Sequence, residues 1–134
     1  MNMFEVVAPA ELGAPVGFSH GLLASPGARL LFVAGQTAAG ERGVVGDSSF
    51  VAQFEAALIK VLAVVRAGGG RPDHIARLTL YVVDMPSYLA SRPRLGGAWR
   101  VHMGTHYPAM TVVGVTRLVD AAAVLEIEAT AVLP

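Results

Sequence analysis

A chain of 134 residues with ten basic and ten acidic side chains, no net charge and no cysteine excludes several classes at once. It is long enough for one domain, residues 1–134, with a real core. Scattered basic residues argue against an electrostatic nucleic-acid binder, and the lack of thiols rules out disulfides, thiol catalysis and Cys-ligated zinc.

A hydrophobic fraction of 54% is high beside 15% charged residues. No run of about 18 uninterrupted apolar residues offers a membrane span, so apolar surface is expected to be buried between subunits. The start, Met1-Asn2-Met3-Phe4-Glu5, lacks a basic region followed by an apolar stretch. No secretory signal or membrane partner is therefore expected, and a cytoplasmic protein is the default.

In chain order, Phe4–Val7 reads as a first strand, followed by a loop punctuated by Pro9, Gly13 and Pro15. Gly17–Ala24 is extended in character, and Ser25-Pro26-Gly27 turns the chain into a strand at Arg29–Ala34. Those two segments are expected to form a hairpin. Gly40–Gly46 reads as a loop or short edge strand. A helix is predicted from Ser49 to Ala67, with Asp47, Ser48 and Ser49 as candidate N-caps. Phe50, Phe54, Ala57, Leu58, Val61, Leu62 and Val65 recur at helical spacing and define its buried stripe. Gly68-Gly69-Gly70 stops the helix; it follows a helix rather than preceding one, the reverse of a phosphate loop.

Next comes a strand at Ala76–Val83, where Leu78, Leu80 and Val82 alternate with Arg77, Thr79 and Tyr81. A second helical region, Ser87–Met103, is expected to break at Arg92-Pro93 because proline removes a helical hydrogen bond. Strands at Met110–Val115 and Val124–Leu133 close the chain. This order suits an α+β layer fold, one mixed sheet with both helices on a single face.

Several short motifs then fall in a shared order and spacing. Gly17-Phe18-Ser19 resembles the Gly-x-Tyr-Ser segment of the YjgF/RidA family, the reactive-intermediate deaminases, and Ala34-Gly35-Gln36 resembles its Ser-Gly-Gln. Gln53, Asp84-Met85, Pro108-Ala109-Met110 and Glu126-Ile127-Glu128-Ala129 are similar to further family motifs, the third of them Pro-Ala-Arg in the family. The resemblance covers nearly the whole chain. It implies a chorismate-mutase-like fold and a homotrimer whose sheets form a central barrel, with small-molecule clefts between subunits. It also implies hydrolysis of enamines and imines such as 2-aminoacrylate without metal or organic cofactor.

Residue by residue, the resemblance makes Glu126 the water-positioning glutamate and Gly35 the small residue that lets backbone approach a ligand. Met110 stands where the family's carboxylate-binding arginine would be, Phe18 for its tyrosine and Ala34 for its serine, while the family's asparagine falls near Arg92. Val112 shares a strand face with Met110. A thioether cannot imitate a bidentate guanidinium, so the substrate-binding set Phe18, Ala34, Gly35, Arg92, Met110 and Val112 describes a more apolar cleft around a retained catalytic carboxylate, Glu126. A carboxylate serving as general acid or base needs apolar neighbours that raise its pKa, and Met110 and Phe18 are the candidates.

The alternatives are a glutamate paired at a subunit interface, and a site simply fallen out of use. Arg92 or Arg94 offers a replacement cation, or else a solvated one. Arg100 reads as surface or interface. His102 and His106 have the spacing of a helical metal pair, but Gly104 and Pro108 interrupt the helix and no third ligand is evident, so no metal is expected. His20 is a candidate ligand contact, His74 beside Asp73 a cap, and Trp99 with Phe32, Phe50 and Phe54 core. The functions that follow are an enzyme acting on a neutral imine, enamine or carbonyl compound, with weak or no 2-aminoacrylate deamination, or a non-catalytic binding or regulatory trimer. Ribonuclease activity fits the neutral charge less well.

Overall fold

The computed structural model describes residues 2–40 and 49–134. The loop or edge strand expected at Gly40–Gly46 falls, beyond Gly40, outside the described residues, as do the candidate caps Asp47 and Ser48.

Six strands and two long helices follow the expected order: β1 (Phe4–Val7), β2 (Gly21–Ala24), β3 (Arg29–Gln36), α1 (Phe50–Ala67), β4 (Ile75–Val82), α2 (Met85–Met103), β5 (Ala109–Gly114) and β6 (Leu125–Leu133). The main sheet has the strand order β3-β6-β4-β5. Only β4 and β5 are parallel, and α2 supplies the crossover that a parallel pair requires. Both helices pack on one face of this mixed sheet, the α+β arrangement expected from the sequence. Among the described residues, no helix is long and apolar enough to cross a membrane.

α1 starts at Ser49, whose hydroxyl accepts the Ala52 N–H at 3.4 Å. It ends in a Schellman pair: Gly69 N–H to Arg66 C=O and Gly70 N–H to Val65 C=O, both 2.9 Å. Gly69 sits at φ 89°, a conformation glycine takes without strain. The predicted stripe from Phe50 to Val65 is buried against Leu78, Leu80, Leu125 and Ile127. Burying each such side chain stabilises the fold by about 1.5–3 kcal/mol. Gln53 lies wholly inside this interface, donating to Ala122 C=O at 3.2 Å and accepting from Val124 N–H at 2.9 Å. It thereby ties α1 to the entry of β6.

Three expectations fail. The simplest is Phe32, expected in the core with Phe50, Phe54 and Trp99: it stands 73% exposed on β3, turned away from the helices. β2 does not pair with β3; it pairs antiparallel with β1 in a separate two-stranded sheet. The connecting turn has Pro26 and then Gly27 at φ 74°, with Ala28 N–H bonded to Ser25 C=O at 3.4 Å, as in a type II turn. That twist splays strands rather than pairing them. Ser25 is instead held to Met3, its N–H donating to Met3 C=O at 2.9 Å. Met3 and Phe4 then cover Val132 and Ala76 at one end of the sheet's outer face.

The third failure is the break at Arg92-Pro93, since α2 runs through Pro93. The hydrogen bond that proline forfeits belongs to the Leu89 carbonyl, and Leu89 and Pro93 both lie on the exposed side. A carbonyl open to solvent loses little by the exchange. α2 also starts two residues earlier than expected, capped by Asp84, whose carboxylate accepts the Ser87 N–H at 3.4 Å.

Candidate functional sites

β3 carries a bulge opposite β6: Val33 pairs with Ala129 and Gln36 with Ile127, so Ala34 and Gly35 together face Glu128. The Glu126 side chain lies directly on Gly35. A Cβ built at Gly35 would overlap the Glu126 carboxylate and come within 2.8 Å of its Cδ, so any larger residue must push the Glu126 side chain out of this seat. Among the described residues the Glu126 carboxylate has no hydrogen-bond or salt-bridge partner.

Beside it lies a depression of about 330 Å³ lined by Gly35, Gln36, Thr37, Lys60, Asp120 and Glu126. Lys60, the only lysine in the chain, donates from Nζ to Thr37 C=O at 3.0 Å and Ala39 C=O at 2.8 Å, pinning the segment that follows the bulge. Sequence reasoning passed over Lys60; the one signal was a lone charge between Ile59 and Val61 on an otherwise apolar helix face.

Next along the same face, the Tyr81 hydroxyl donates to Glu128 Oε1 at 2.6 Å. This hydrogen bond raises the phenol's pKa above its ordinary 10.0, and partial burial and the charges of Glu128 and Glu126 add to the effect.

Met110 and Val112 lie elsewhere. Registers place Met110 beside Leu78 and Glu126 beside Tyr81, and residues three apart on β4 point to opposite faces. Met110 and Val112 therefore face the helices, where they line a cleft of about 190 Å³ under α2 with Tyr88, Leu95, Trp99 and Tyr107. Trp99 and Tyr107 stand parallel, 6.0 Å between centroids and 3° between planes. The indole N–H donates to His106 C=O at 3.1 Å and the His106 Nε2–H to Ile75 C=O at 2.7 Å, so the aromatic wall is fixed. Gly96 leaves the α2 side of the cleft open; a Cβ there would meet only the Arg100 side chain, at 3.7 Å.

The other predicted residues scatter. Phe18 meets His20 edge-on at 5.2 Å and lines a third depression with Phe4, Ser19 and His106, not the Met110 cleft. Its segment is docked by Ser19, whose N–H donates to Pro108 C=O at 3.0 Å and whose hydroxyl donates to Tyr107 C=O at 2.6 Å. His20 donates to Gly13 C=O at 3.1 Å. Arg92 and Arg94 are exposed on α2, and neither lines the Met110 cleft. His102 faces Glu55 at 3.7 Å and His106 is bound to Ile75, so the two rings serve different contacts. His74 is a cap, as expected: its Nδ1 accepts the Arg71 N–H at 3.0 Å, and burial lowers its pKa. Among the described residues a further depression of about 670 Å³ around Arg117 and Val119 has one charged lining side chain and gathers no reactive set.

This fold and these motifs coincide with a known family. The family model Endoribonuclease L-PSP matches residues 9–133. The chain belongs to this family, the YjgF/RidA or Rid family. Among solved Rid structures, YyfB from Yersinia pestis, a protein of unknown function, is 33% identical with a TM-score of 0.85, over 99% of this chain and 100% of that one. E. coli TdcF, solved with bound serine, is 27% identical with a TM-score of 0.69, over 91% and 92%. Rv2704 of Mycobacterium tuberculosis is 26% identical with a TM-score of 0.62, over 94% and 95%. No curated protein matches the chain.

Proposed function

We propose that this Rid-family chain acts as a homotrimer with small-molecule clefts between subunits. Each cleft forms where the β5 edge of one copy, carrying Met110 and Val112, meets the β3 edge of the next, carrying Ala34, Gly35 and Glu126. The observation that carries this reading is the seat of Glu126 on Gly35: a carboxylate with no partner among the described residues, held against the bulge of an edge strand. Among the described residues β3 and β5 are the outer strands of the main sheet, with Ser19 bridged to Ala109 at the start of β5, which supports reading them as half-sites that a second copy would bring together. Apolar side chains on β3 support the assembly, since Phe32 is 73% and Leu30 60% exposed. The serine bound in TdcF supports a small ligand.

The chemistry this suits is hydrolysis of an uncharged imine, or a related proton transfer on an enamine or carbonyl compound. Glu126 takes a proton from water as the oxygen bonds to the imine carbon. The C=N pair moves to nitrogen, which takes that proton back from Glu126 to give the neutral carbinolamine. Glu126 then accepts the hydroxyl proton and passes it to nitrogen as the C–N bond breaks, so the amine leaves carrying both water protons and the carbonyl forms. General acid–base catalysis of this kind contributes about 10²–10⁴-fold. Among the described residues no charged side chain lines the Met110 cleft, so 2-aminoacrylate is expected to be a poor substrate.

The test supplies uncharged aryl imines and, separately, 2-aminoacrylate generated in place by a pyridoxal-phosphate lyase. Expected are aryl imine hydrolysis that falls about 10²-fold in Glu126→Gln and little acceleration of pyruvate release. Strong Glu126-dependent pyruvate release would overturn the reading, and so would a monomer by light scattering at micromolar concentration. A second reading, a non-catalytic binding trimer, is favoured by the separation of Glu126 from the Met110 cleft. It predicts no turnover with any imine and unchanged ligand affinity in Glu126→Ala. Ribonuclease activity has little support in a chain of zero net charge.

A further inference from the structure

The cleft under α2 has a size, a wall chemistry and a polarity that together narrow its ligand. Its volume of about 190 Å³ is slightly more than the roughly 150 Å³ apolar cavity that accepts benzene, so it fits one six-membered ring with a short substituent. Leu95, Met110 and Val112 supply apolar walls, and the parallel Trp99–Tyr107 pair supplies fixed aromatic surface. None of the lining side chains carries a charge. The hydroxyls of Tyr88 and Tyr107 make no hydrogen bond among the described residues, so two phenols on the lining are free to donate.

We infer that this cleft selects uncharged monocyclic aromatic molecules bearing a hydrogen-bond acceptor on a short substituent, and discriminates against carboxylates. This deepens the reading of the Met110 side as the ligand half-site and rests on it. The neighbouring cation is Arg100, whose guanidinium lies 3.7 Å from where a Gly96 Cβ would stand, but it is exposed and lines no part of the cleft. A carboxylate buried among the apolar walls would therefore leave its charge unpaired, whereas a neutral oxygen needs only a phenol donor. Gly96 gives the ring its room, which makes it the residue that sets ligand size.

Trp99 is the only tryptophan, so its fluorescence reports on the cleft in the unmodified protein. Titration with benzyl alcohol is expected to saturate with a Kd on the order of 1 mM or tighter. Benzoate and serine should bind at least about tenfold more weakly. Gly96→Leu should abolish benzyl alcohol binding with circular dichroism unchanged. If Gly96→Leu fails to fold, Gly96→Ala, whose added methyl meets only Arg100, should fold and bind several-fold more weakly. Absence of saturation by benzyl alcohol, benzoate affinity equal to or above it, or undiminished binding by a folded Gly96 variant would each overturn the inference. Loss of ring binding with Glu126-dependent imine turnover intact would refute this inference alone. Ring binding without turnover of any imine would refute the hydrolytic reading and leave the ring site standing.

Discussion

The two halves of the candidate site differ in what fixes them. The Met110 cleft is a gap in the core: its walls are side chains already held by the packing of α2 on β4 and β5, and its polarity is that of the hydrophobic interior. The Glu126 depression is a backbone device at the other edge of the sheet. There a bulge, a glycine, a lysine bonded to two carbonyls and two carboxylates meet with few apolar neighbours. A change of one residue therefore retunes the first gradually, while an added atom at Gly35 in the second must move the Glu126 carboxylate. In the proposed function, affinity and ligand class belong to the first region, and proton chemistry to the second.

The sharpest way to break this contrast is Gly35→Ala. The new methyl must displace the Glu126 side chain, whose flexible, half-buried end can move, so the cost is expected near the low end of overpacking, about 1 kcal/mol. The same substitution in a Glu126→Ala background should cost less than about 0.5 kcal/mol, because the obstructing atoms are gone. Urea unfolding of the four proteins measures the coupling. Coupling near zero would mean that the bulge, not the glutamate, demands glycine, and the proposed design of the polar half would fall. Gly96→Ala on the other side should change stability little.

Much of the fold was legible, and the reasons are local. The helical recurrence from Phe50 to Val65 and the alternation along β4 and β6 record burial on one side of each element, and the structure buries those residues. The β2 partner was not legible, because Ser25-Pro26-Gly27 fits either a hairpin or a splayed turn and the choice depends on Met3, more than twenty positions away. Pro93 misled for a similar reason: its cost depends on whether the Leu89 carbonyl faces solvent, which sequence does not state. Alternation places Met110 with Val112, and Glu126 with Glu128, but says nothing of how the faces of different strands relate. Only the registers through β4 show that the two pairs lie on opposite sides.

The contrast sharpens with Met110→Arg, which would place a guanidinium in the apolar half alone. Benzyl alcohol affinity should fall and benzoate affinity rise, each by about tenfold, or about 1.4 kcal/mol. Competition titrations followed by Trp99 fluorescence measure both. An unchanged order of preference would show that the arginine leaves the cleft for solvent, and that Met110 does not set ligand charge.

The smallest expected effect tests the electrostatics of the polar face. Tyr81 donates its phenolic proton to Glu128, so the folded chain favours the protonated phenol and its pKa lies above 10.0. With the folded pKa above the unfolded one, the linked stabilisation is fully present below pH 10.0 and is lost as pH rises through the folded value. Phenolate absorbance should therefore show one tyrosine titrating late. Tyr81→Phe should remove that transition, and Glu128→Gln should move it toward 10.0 by deleting the charge and weakening the bond. If Glu128→Gln left the Tyr81 transition where it was, the carboxylate would not be what holds the phenol, and the assignment of charge chemistry to this face of the sheet would have to be abandoned.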